Sequence, residues 1–452
     1  MTTVDTPAPP RPGPPRRPRP RVRRDHPLRA ELLRGVGPWA GAAVAIAVAA
    51  VLYEKADPGT DWQTYWSEGA VLLRVGSVHI GGAIAAAAGC WQGGRERRRN
   101  MLGLRASSAR SPLRQALVAV APVVLWPVAA QLTGLLAVIL ATAPYASAGG
   151  PYISVAVADT VAIGSLSVLG FVAGRLVGHR LAPPLVGIGT WILLTLPVYD
   201  VGARKSVASL LNPADQGPFG RLEPVWWYTP ASVLWTGGLA AFTLLLYAAR
   251  RRAFAIVPLA AAVCGAAVLA DTGEGLWRPD PALTRLVCDD GTPRICVEAR
   301  HAGLRPQIAA ALGEAHDRLR GVPGAPVRWV DKPDTALAAG EAHLPDPVLQ
   351  VFRGRLTDPE GYARWAVDSF LGHCDTRETD APDADWRRSA EIDNAVGQWL
   401  APYEQRWSWS VTPDARRHLA RLEAMTPAES RGYLARRLAV DACATPGKVP
   451  AP

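Results

Sequence analysis

Three ionisable residues lie inside otherwise apolar stretches of the sequence: Arg74, His79 and Asp159. A charged side chain at the centre of a membrane helix costs about 2.5–3.5 kcal/mol on insertion scales, so such residues are functional candidates. Arg74 and Asp159 each lie roughly 8–10 Å inside the same end of a predicted span, at a rise of about 1.5 Å per residue. We therefore expect an Arg74–Asp159 ion pair. The competing interpretation is that Arg74 extends to the headgroups while Asp159 faces other helices.

Recognised catalytic and metal-binding motifs are missing from the sequence. It contains no GxxxxGK[ST] loop, no HExxH and no CxxC, which are the patterns that signal nucleotide, zinc or redox chemistry. The sequence therefore predicts a protein that is not an enzyme and that has no catalytic residue, resident metal or cofactor. Five histidines near the C-terminus lack the spacing of metal ligands and are expected to be surface residues. They are His301, His316, His343, His373 and His418.

Seven stretches are apolar and close to the roughly 20 residues needed to cross a bilayer. They predict an α-helical polytopic membrane protein with about seven transmembrane helices and a mainly helical C-terminal domain. The span at 182–199 is the weakest, because prolines and glycines crowd its start. A re-entrant segment there would leave six spans and a cytoplasmic C-terminus. The predicted spans are residues 35–53, 69–91, 116–142, 152–177, 182–199, 232–249 and 253–270.

Basic residues are distributed unevenly among the loops. The N-terminal segment and every second loop together hold 21 Lys and Arg, whereas the opposite short loops hold four. Because Lys and Arg are enriched on the cytoplasmic side, the N-terminus is predicted to be cytoplasmic and the C-terminal domain extracytoplasmic. Residues 1–34, rich in Pro and Arg, are expected to be a disordered cytoplasmic tail. Residues 35–270 form the predicted transmembrane domain and 271–452 the extracytoplasmic domain.

The net charge of +10 raises the question of a nucleic-acid partner. Only four of the 49 basic residues are lysine, and much of the arginine flanks apolar segments, where it sets topology. No basic segment with interleaved aromatic residues resembles a nucleic-acid module. The expected environment is therefore the lipid bilayer of the cell membrane, with no nucleic acid bound.

Cysteine placement agrees with this orientation. Cys90 and Cys264 fall in apolar segments, whereas the other four cysteines fall in the C-terminal domain. An even number in an extracytoplasmic domain is what disulfide formation requires. Cys288 and Cys296 flank a predicted hairpin turn within 284–299, and Cys374 and Cys443 each end a helical pattern. We expect the pairs 288–296 and 374–443, although four cysteines allow three pairings.

The loop after the second span carries an unusual concentration of charge. Residues 92–115 contain seven arginines together with Glu96. A loop that only sets topology needs two or three, so this one is expected to dock onto another protein, steered by its charge. Met101, Leu102 and Leu104 could fill a groove on that partner.

Three segments resemble permeases of the actinobacterial ABC-2 type: GCWQGGRERRR at 89–99, SSARSPLRQ at 107–115 and GFVAGRLVGHRLAPPL at 170–185. The resemblance covers about residues 35–250. It implies a membrane subunit that is driven by a separate ATP-binding subunit and that works as a homo- or heterodimer of membrane domains. It also implies that the loop after the second span contacts the ATPase. The implied contact residues are Arg95, Glu96, Arg97, Arg98 and Arg99.

The sequence thus favours the permease subunit of an ABC-type exporter, which works by motion rather than covalent chemistry. The alternative is a membrane-anchored cell-surface protein whose disulfide-bearing C-terminal domain binds cell-wall material or another protein. A third interpretation, an intramembrane enzyme, would need paired catalytic groups at similar depth, and only Arg74, His79 and Asp159 are available. Fold resemblance alone does not choose between these functions.

Overall fold

A computed structural model describes residues 27–56, 62–99, 111–199, 206–215, 217, 220–332, 337–372, 381–403 and 412–452. Most of the predicted disordered tail lies outside these residues. Its last part, however, is ordered: Pro27–Arg34 form helix α1. The helix is fixed to the rest of the chain because Glu31 accepts a hydrogen bond from Arg95 and the Leu32 carbonyl accepts one from the Trp126 indole.

Seven helical segments are long and apolar enough to cross a membrane, which agrees with the predicted number and positions. They pack into a bundle that we define as residues 27–276. The segment predicted as a possible re-entrant loop is instead one continuous helical run, Ala182–Tyr199. The helices of the bundle after α1 are α2 Gly37–Glu54, α3 Trp66–Arg74, α4 Gly81–Arg98, α5 Pro112–Thr142, α6 Ile153–Val177, α7 Ala182–Thr195, α8 Val207–Leu210, α9 Tyr228–Ala248 and α10 Ile256–Thr272.

The second span is longer than its apolar core. Helices α3 and α4 are joined by a π-helical stretch, Val75–Ile80, into one helical segment of 33 residues from Trp66 to Arg98. At about 1.5 Å per residue it measures about 50 Å, whereas a hydrocarbon core is about 30 Å thick. This segment is therefore longer than a hydrocarbon core is thick.

Small residues allow α4 and α6 to approach each other closely. Two glycines on each helix, spaced four apart, face the other helix: Gly89 and Gly93 on α4, and Gly170 and Gly174 on α6. A methyl group on any of them would overlap backbone atoms of the facing helix. Small residues four apart let membrane helices pack backbone to backbone, so this pair forms the tightest contact of the bundle.

The C-terminal part, residues 277–452, forms the tail domain. It contains both helices and sheets, where the sequence predicted helices and one strand pair. The predicted pair is present as β3 and β4, whereas the parallel strands β5 and β6 that extend it were not predicted. The strands of the protein are β1 Leu222–Pro224, β2 Trp277–Pro279, β3 Leu286–Cys288, β4 Arg294–Glu298, β5 Arg328–Val330, β6 Glu341–His343, β7 Val351–Phe352 and β8 Arg355–Leu356.

Apolar residues at helical spacing predict four helices in the tail domain, within 304–319, 362–371, 392–400 and 427–438, and each corresponds to helical structure around one core. Trp329 on β5 is fully buried in this core together with Leu304, Ile308, Leu312 and Tyr362, and its ring contacts Phe370. Helix α16 was not predicted. The tail helices are α11 Pro281–Thr284, α12 Arg305–Ala311, α13 Gly313–Leu319, α14 Pro359–Leu371, α15 Asp383–Leu400, α16 Pro413–Glu423 and α17 Pro427–Leu438.

Helices α14, α16 and α17 begin with the same type of N-terminal cap. Each begins with a capping residue followed by proline, at Asp358, Thr412 and Thr426, and each capping side chain accepts a backbone N–H from the first turn. Proline fits the first helical position because its missing N–H would have no helical partner there. These caps fix where the tail helices begin.

The predicted Cys288–Cys296 disulfide is present, bridging β3 and β4. Cys443 is also disulfide-bonded, but Cys374, its predicted partner, lies outside the described residues. Cys90 and Cys264 are free thiols.

Candidate functional site

Arg74 and Asp159 meet inside the bundle, as expected from their matching depths. The Arg74 Nε donates to Asp159 Oδ1 at 2.9 Å, and one terminal nitrogen lies 2.8 Å from the same oxygen. Their side chains are 1% and 4% exposed. The pair joins α3 to α6 near the end of the bundle that faces the tail domain, which we call the tail face.

The Arg74 guanidinium also reaches two further elements. It donates to the backbone carbonyl of Asp215 at 2.7 Å and to the Tyr228 hydroxyl at 3.0 Å. One side chain thus connects α3, α6, the loop after α8 and the first residue of α9. Burying two charges is costly, and the cost is offset only when the remaining donors are satisfied as they are here.

His79 does not join this cluster. It lies in the π-helical stretch, one to two turns further along the same segment, and its Nε2 is 2.6 Å from Thr195 Oγ1 on α7. Single π-helical turns inside α-helices often mark functional positions. Arg74 is the last residue before this turn, so the ion-pair cluster and the turn are adjacent.

The predicted ATPase-contact residues lie beyond the predicted end of the second span at 91. Arg95–Arg98 nevertheless belong to α4, and Arg99 directly follows it, so the helix is longer than predicted. The helix continues beyond its apolar part because its charged residues find partners on neighbouring elements. The Arg95 guanidinium, for example, lies 2.7 Å from the Glu31 carboxylate on α1.

Glu96 makes the strongest of these contacts. Its two carboxylate oxygens lie 2.5 and 2.8 Å from the two terminal nitrogens of Arg175 on α6, a bidentate pair with Arg175 almost fully buried. Such paired geometry fixes the relative orientation of both side chains. Arg97 donates to the Leu176 carbonyl at 2.8 Å. The end of α4 is therefore locked to α6.

These residues form the opposite end of the bundle, which we call the basic face. Arg98 donates to the Trp91 carbonyl and covers its ring at 4.4 Å. Arg97 and Arg99 are exposed. The remainder of the predicted docking loop, with Met101, Leu102 and Leu104, lies outside the described residues.

A buried charge cluster lies where the tail domain meets the tail face, and it was not predicted. Arg300, 6% exposed, donates to Glu298 at 2.8 Å and to Asp346 at 2.6 Å. Glu298 is also paired with Arg221 from the loop before β1. The dense run V-E-A-R-H at 297–301 was the only available signal, since the partners are distant in sequence.

His301 lies at the centre of this cluster and is fully buried. Its Nδ1 is 2.6 Å from Asp331 Oδ2, and its Nε2, 3.5 Å from Asp346 Oδ1, makes no hydrogen bond within the described part of the chain. The ring of Tyr65, from the residue before α3, contacts His301 edge-on at 5.5 Å. The histidine expected at the surface thus lies between the tail domain and the start of the second span.

Charges in the cluster influence each other. Burial and the charge of Asp331 raise the pKa of Glu298, against the opposing effect of Arg300 and Arg221. Burial acts in the same direction on Asp331, but the hydrogen bond and charge of His301 outweigh it, so the pKa of Asp331 is lowered. Both shifts follow from burial competing with ion pairing.

Glu298, His301 and Asp331 place potential metal-ligating atoms within 4.8 Å of one another. Two arginines occupy the carboxylate of Glu298, however, and a cation there would meet their positive charge. The arrangement is better suited to holding the tail domain on the bundle than to holding a metal ion.

Further contacts fix the tail domain at this junction. Strands β1 and β2 pair across it, Arg353 donates to Gln63 at 2.6 Å, and the Gly354 N–H donates to Thr64 at 3.0 Å. A cavity of about 320 Å³ with both polar and apolar lining residues lies beside them, a volume within the range of small-molecule pockets. Its charged lining residues are Glu223, Asp280 and Arg300.

A second cavity, of about 240 Å³, lies within the bundle among α6, α7, α8 and α9. Its lining is mostly apolar. The polar side chains there bond to backbone carbonyls instead: Asn212 to Leu194, and Trp235 to Leu211. This cavity offers no charged group to a ligand.

No protein-family model, curated protein or solved structure matches this chain. The resemblance to ABC-2 permeases therefore stays a prediction based on sequence pattern.

Proposed function

We propose that the chain is the membrane-spanning permease subunit of an ABC-type exporter, driven by a separate ATPase subunit. One observation supports this most: the helical segment Trp66–Arg98 runs from the tail face to the basic face in one piece. A continuous helical segment that connects the two ends of the bundle can transmit a conformational change from a cytoplasmic ATPase to the opposite side of the membrane. In this proposal the basic face is cytoplasmic and the tail domain is extracytoplasmic.

Contacts at both ends of this segment suit such a role. At the basic face, Glu96 and Arg95 fix α4 to α6 and α1, so a force on α4 would move three helices together. Arg97 and Arg99 are exposed and would meet the ATPase. At the tail face, Gln63, Thr64 and Tyr65 hold the tail domain directly before α3 begins.

The middle of the segment offers a place for bending. The π-helical stretch interrupts the regular helix next to the Arg74–Asp159 pair, and Pro122 and Pro127 interrupt the backbone hydrogen bonds of α5. Rearrangement between discrete packings is how bundles switch access. We propose that the ion pair is the fixed point about which the upper and lower parts of the second span tilt.

Apolar surface remains for a second membrane domain. Only 17% of the apolar segment Ala182–Tyr199, which comprises α7 and its short extension, is buried within one chain. In the proposed homo- or heterodimer, part of this surface would pack against the partner and the rest would face lipid. The protein would then work in the cell membrane.

The alternative, a membrane-anchored surface protein, does not require the tail domain to be fixed to the bundle. A flexible tether would serve it equally well. Here a strand pair, a buried charge cluster and two further hydrogen bonds hold the two parts together. This docking favours a protein in which tail domain and helices move as one.

The proposal is tested by purifying the tagged full-length protein from its native host in mild detergent and identifying co-purifying chains by mass spectrometry. A P-loop ATPase in near-stoichiometric amount is expected. It should be lost when Arg97, Arg98 and Arg99 are replaced by Ala. The matched control replaces Arg250, Arg251 and Arg252, a second arginine triplet in a loop between spans, and should retain the ATPase.

Two results would contradict the proposal. One is the absence of any ATPase from several detergents and from cross-linked cells. The other is equal loss of the ATPase in both triplet variants, which would mean that net charge, rather than the end of α4, holds the partner.

A further inference from the structure

A groove of about 510 Å³ lies between helices α15 and α16 of the tail domain, away from the junction with the bundle. One helical stripe from each helix lines it, with residues three or four positions apart, so that both stripes face the groove. Charged residues dominate the lining, where facing stripes of packed helices are ordinarily apolar. The lining residues are Ala384, Arg387, Arg388, Glu391, Asp414, Arg417, His418 and Arg421.

The arginines of this groove outnumber their carboxylate partners. Arg417 pairs with Asp414. Among the residues that the structure describes, Arg387, Arg388 and Arg421 have no carboxylate within ion-pair distance, and Arg421 makes only a 3.4 Å contact with the Pro452 carbonyl. Arg417 and Arg421 are also four apart on one helix, a spacing at which like charges repel.

The position and the pKa of His418 reflect the positive electrostatic potential of these arginines. It lies between the arginines, and its Nδ1 is buried without a hydrogen-bond partner in the described part of the chain. Burial lowers the pKa of His418, and the charges of Arg421, Arg388 and Arg417 act in the same direction, against Glu391. The groove thus presents guanidinium donors, with the His418 imidazole between them.

We propose that this groove binds a phosphate-bearing anion through Arg387, Arg388, Arg417 and Arg421. Guanidinium groups match phosphate oxygens in pairs of parallel hydrogen bonds, and arginine is favoured wherever such recognition matters. Two arginines on each wall provide for more than one phosphate, so an oligophosphate or phosphodiester fits the groove better than a single carboxylate. Asp414 orients Arg417, and the negative charges of Asp414 and Glu391 limit the number of anions that enter.

This binding site is independent of the proposed transport function. The phosphates could belong to a soluble polyanion or to headgroups of the protein's own bilayer, and both sources share the same chemistry. The test therefore uses one soluble probe, inorganic tripolyphosphate, and two lipid environments. The full-length protein is reconstituted in nanodiscs of phosphatidylcholine alone or of phosphatidylcholine with phosphatidylglycerol.

Calorimetric titration with tripolyphosphate should show saturable binding that weakens as salt is added. The double variant R387Q/R421Q should weaken binding by about tenfold or more, because two charge-assisted contacts are lost. The matched control R416Q/R431Q removes the same charge from tail helices outside the groove and should leave the affinity unchanged within about twofold. Unchanged proteolytic stability of all variants shows that they fold.

The lipid comparison identifies the source of the phosphate. If phosphatidylglycerol weakens tripolyphosphate binding to the wild type but not to the groove variant, bilayer headgroups occupy the groove. If it has no effect, a soluble or polymeric phosphate is the ligand. The proposal is overturned if tripolyphosphate fails to bind in phosphatidylcholine nanodiscs, or if the groove and control variants lose affinity equally.

Discussion

The Arg74–Asp159 pair makes the sharpest stability prediction, because both partners are almost fully buried. Replacing Asp159 by Ala leaves the guanidinium without its carboxylate, while the Asp215 carbonyl and the Tyr228 hydroxyl still accept hydrogen bonds from it. Breaking a buried ion pair from one side costs about 3–5 kcal/mol. We expect the free energy of unfolding to fall by that amount.

Removing Arg74 should cost at least as much, since the substitution leaves the Asp159 carboxylate uncompensated and frees two further acceptors. The double variant R74M/D159L removes both charges. Replacing a whole buried pair by apolar side chains is often neutral or stabilising. The double variant should therefore recover most of the lost free energy of unfolding, and it should be more stable than R74M alone by at least about 2 kcal/mol.

The assay is equilibrium unfolding in mixed detergent micelles with increasing sodium dodecyl sulfate, followed by circular dichroism. Ser77→Ala is the matched control. Ser77 is fully buried one turn away, but its hydroxyl donates only to the Leu73 carbonyl of its own helix, so the change should cost about 1 kcal/mol or less. A double variant as unstable as the sum of the singles would refute this account of the cluster.

Three other measurements test separate parts of the fold. Gly174→Ala should destabilise the bundle by at least about 1–3 kcal/mol, because the added methyl group would overlap the α4 backbone. The control is Gly189→Ala, whose methyl group meets open space, and it should be neutral in the same unfolding assay. Replacing Cys288 and Cys296 together by Ser should lower the free energy of unfolding of the tail domain by about 2.5 kcal/mol, the loop-closure value for a separation of 8 residues. Urea-dependent proteolysis of the tail domain measures this change. Equal stability of the variant and the wild type would show that the β3–β4 pairing alone holds this loop. Hydrogen bonds from Lys332 and the Ala338 N–H lower the pKa of Glu341 from 4.5 to about 2, so the contribution of Glu341 to stability is complete above pH 4.5 and is lost as the pH falls towards 2. The urea midpoints of unfolding of the wild type and of Glu341→Gln, followed by pepsin digestion, should therefore converge over this interval. A difference between the two midpoints that stays constant with pH would contradict this cause.

The spans were predictable because hydropathy over some 20 residues is a local property. Their ends were not. The second span was predicted to stop at 91, yet the helix continues to Arg98. Its last turns are charged, and Glu31 and Arg175, distant in sequence, satisfy those charges. Hydropathy does not record such partners.

The Arg74–Asp159 pair was predictable from depth alone, since each residue stands out against an apolar background. The junction cluster was not. Its members come from four separate segments around residues 221, 298–301, 331 and 346, none of which is unusual by itself. His301 was expected at the surface because a lone histidine carries no signal of the burial that the fold imposes on it.

In the tail domain helices α14, α15 and α17 and the β3–β4 pair were predicted, whereas helix α16 and strands β5 and β6 were not. Strands β5 and β6 have three residues each, too few to show a period of two. Strand β5 pairs in parallel with β4 across the crossover through α12 and α13, and β6 pairs in parallel with β5, an arrangement that only the assembled core determines.

The central claim is that the end of the second span contacts an ATPase, and site-specific cross-linking in living cells tests it most directly. A photoreactive amino acid replaces Arg99, the exposed residue that directly follows α4, or, as a control, Phe254, which is also exposed and lies at the start of the seventh span. The account predicts that position 99 captures a P-loop ATPase and that position 254 does not. Capture of lipid alone at position 99, or labelling of that position by a membrane-impermeant reagent from outside the cell, would contradict it.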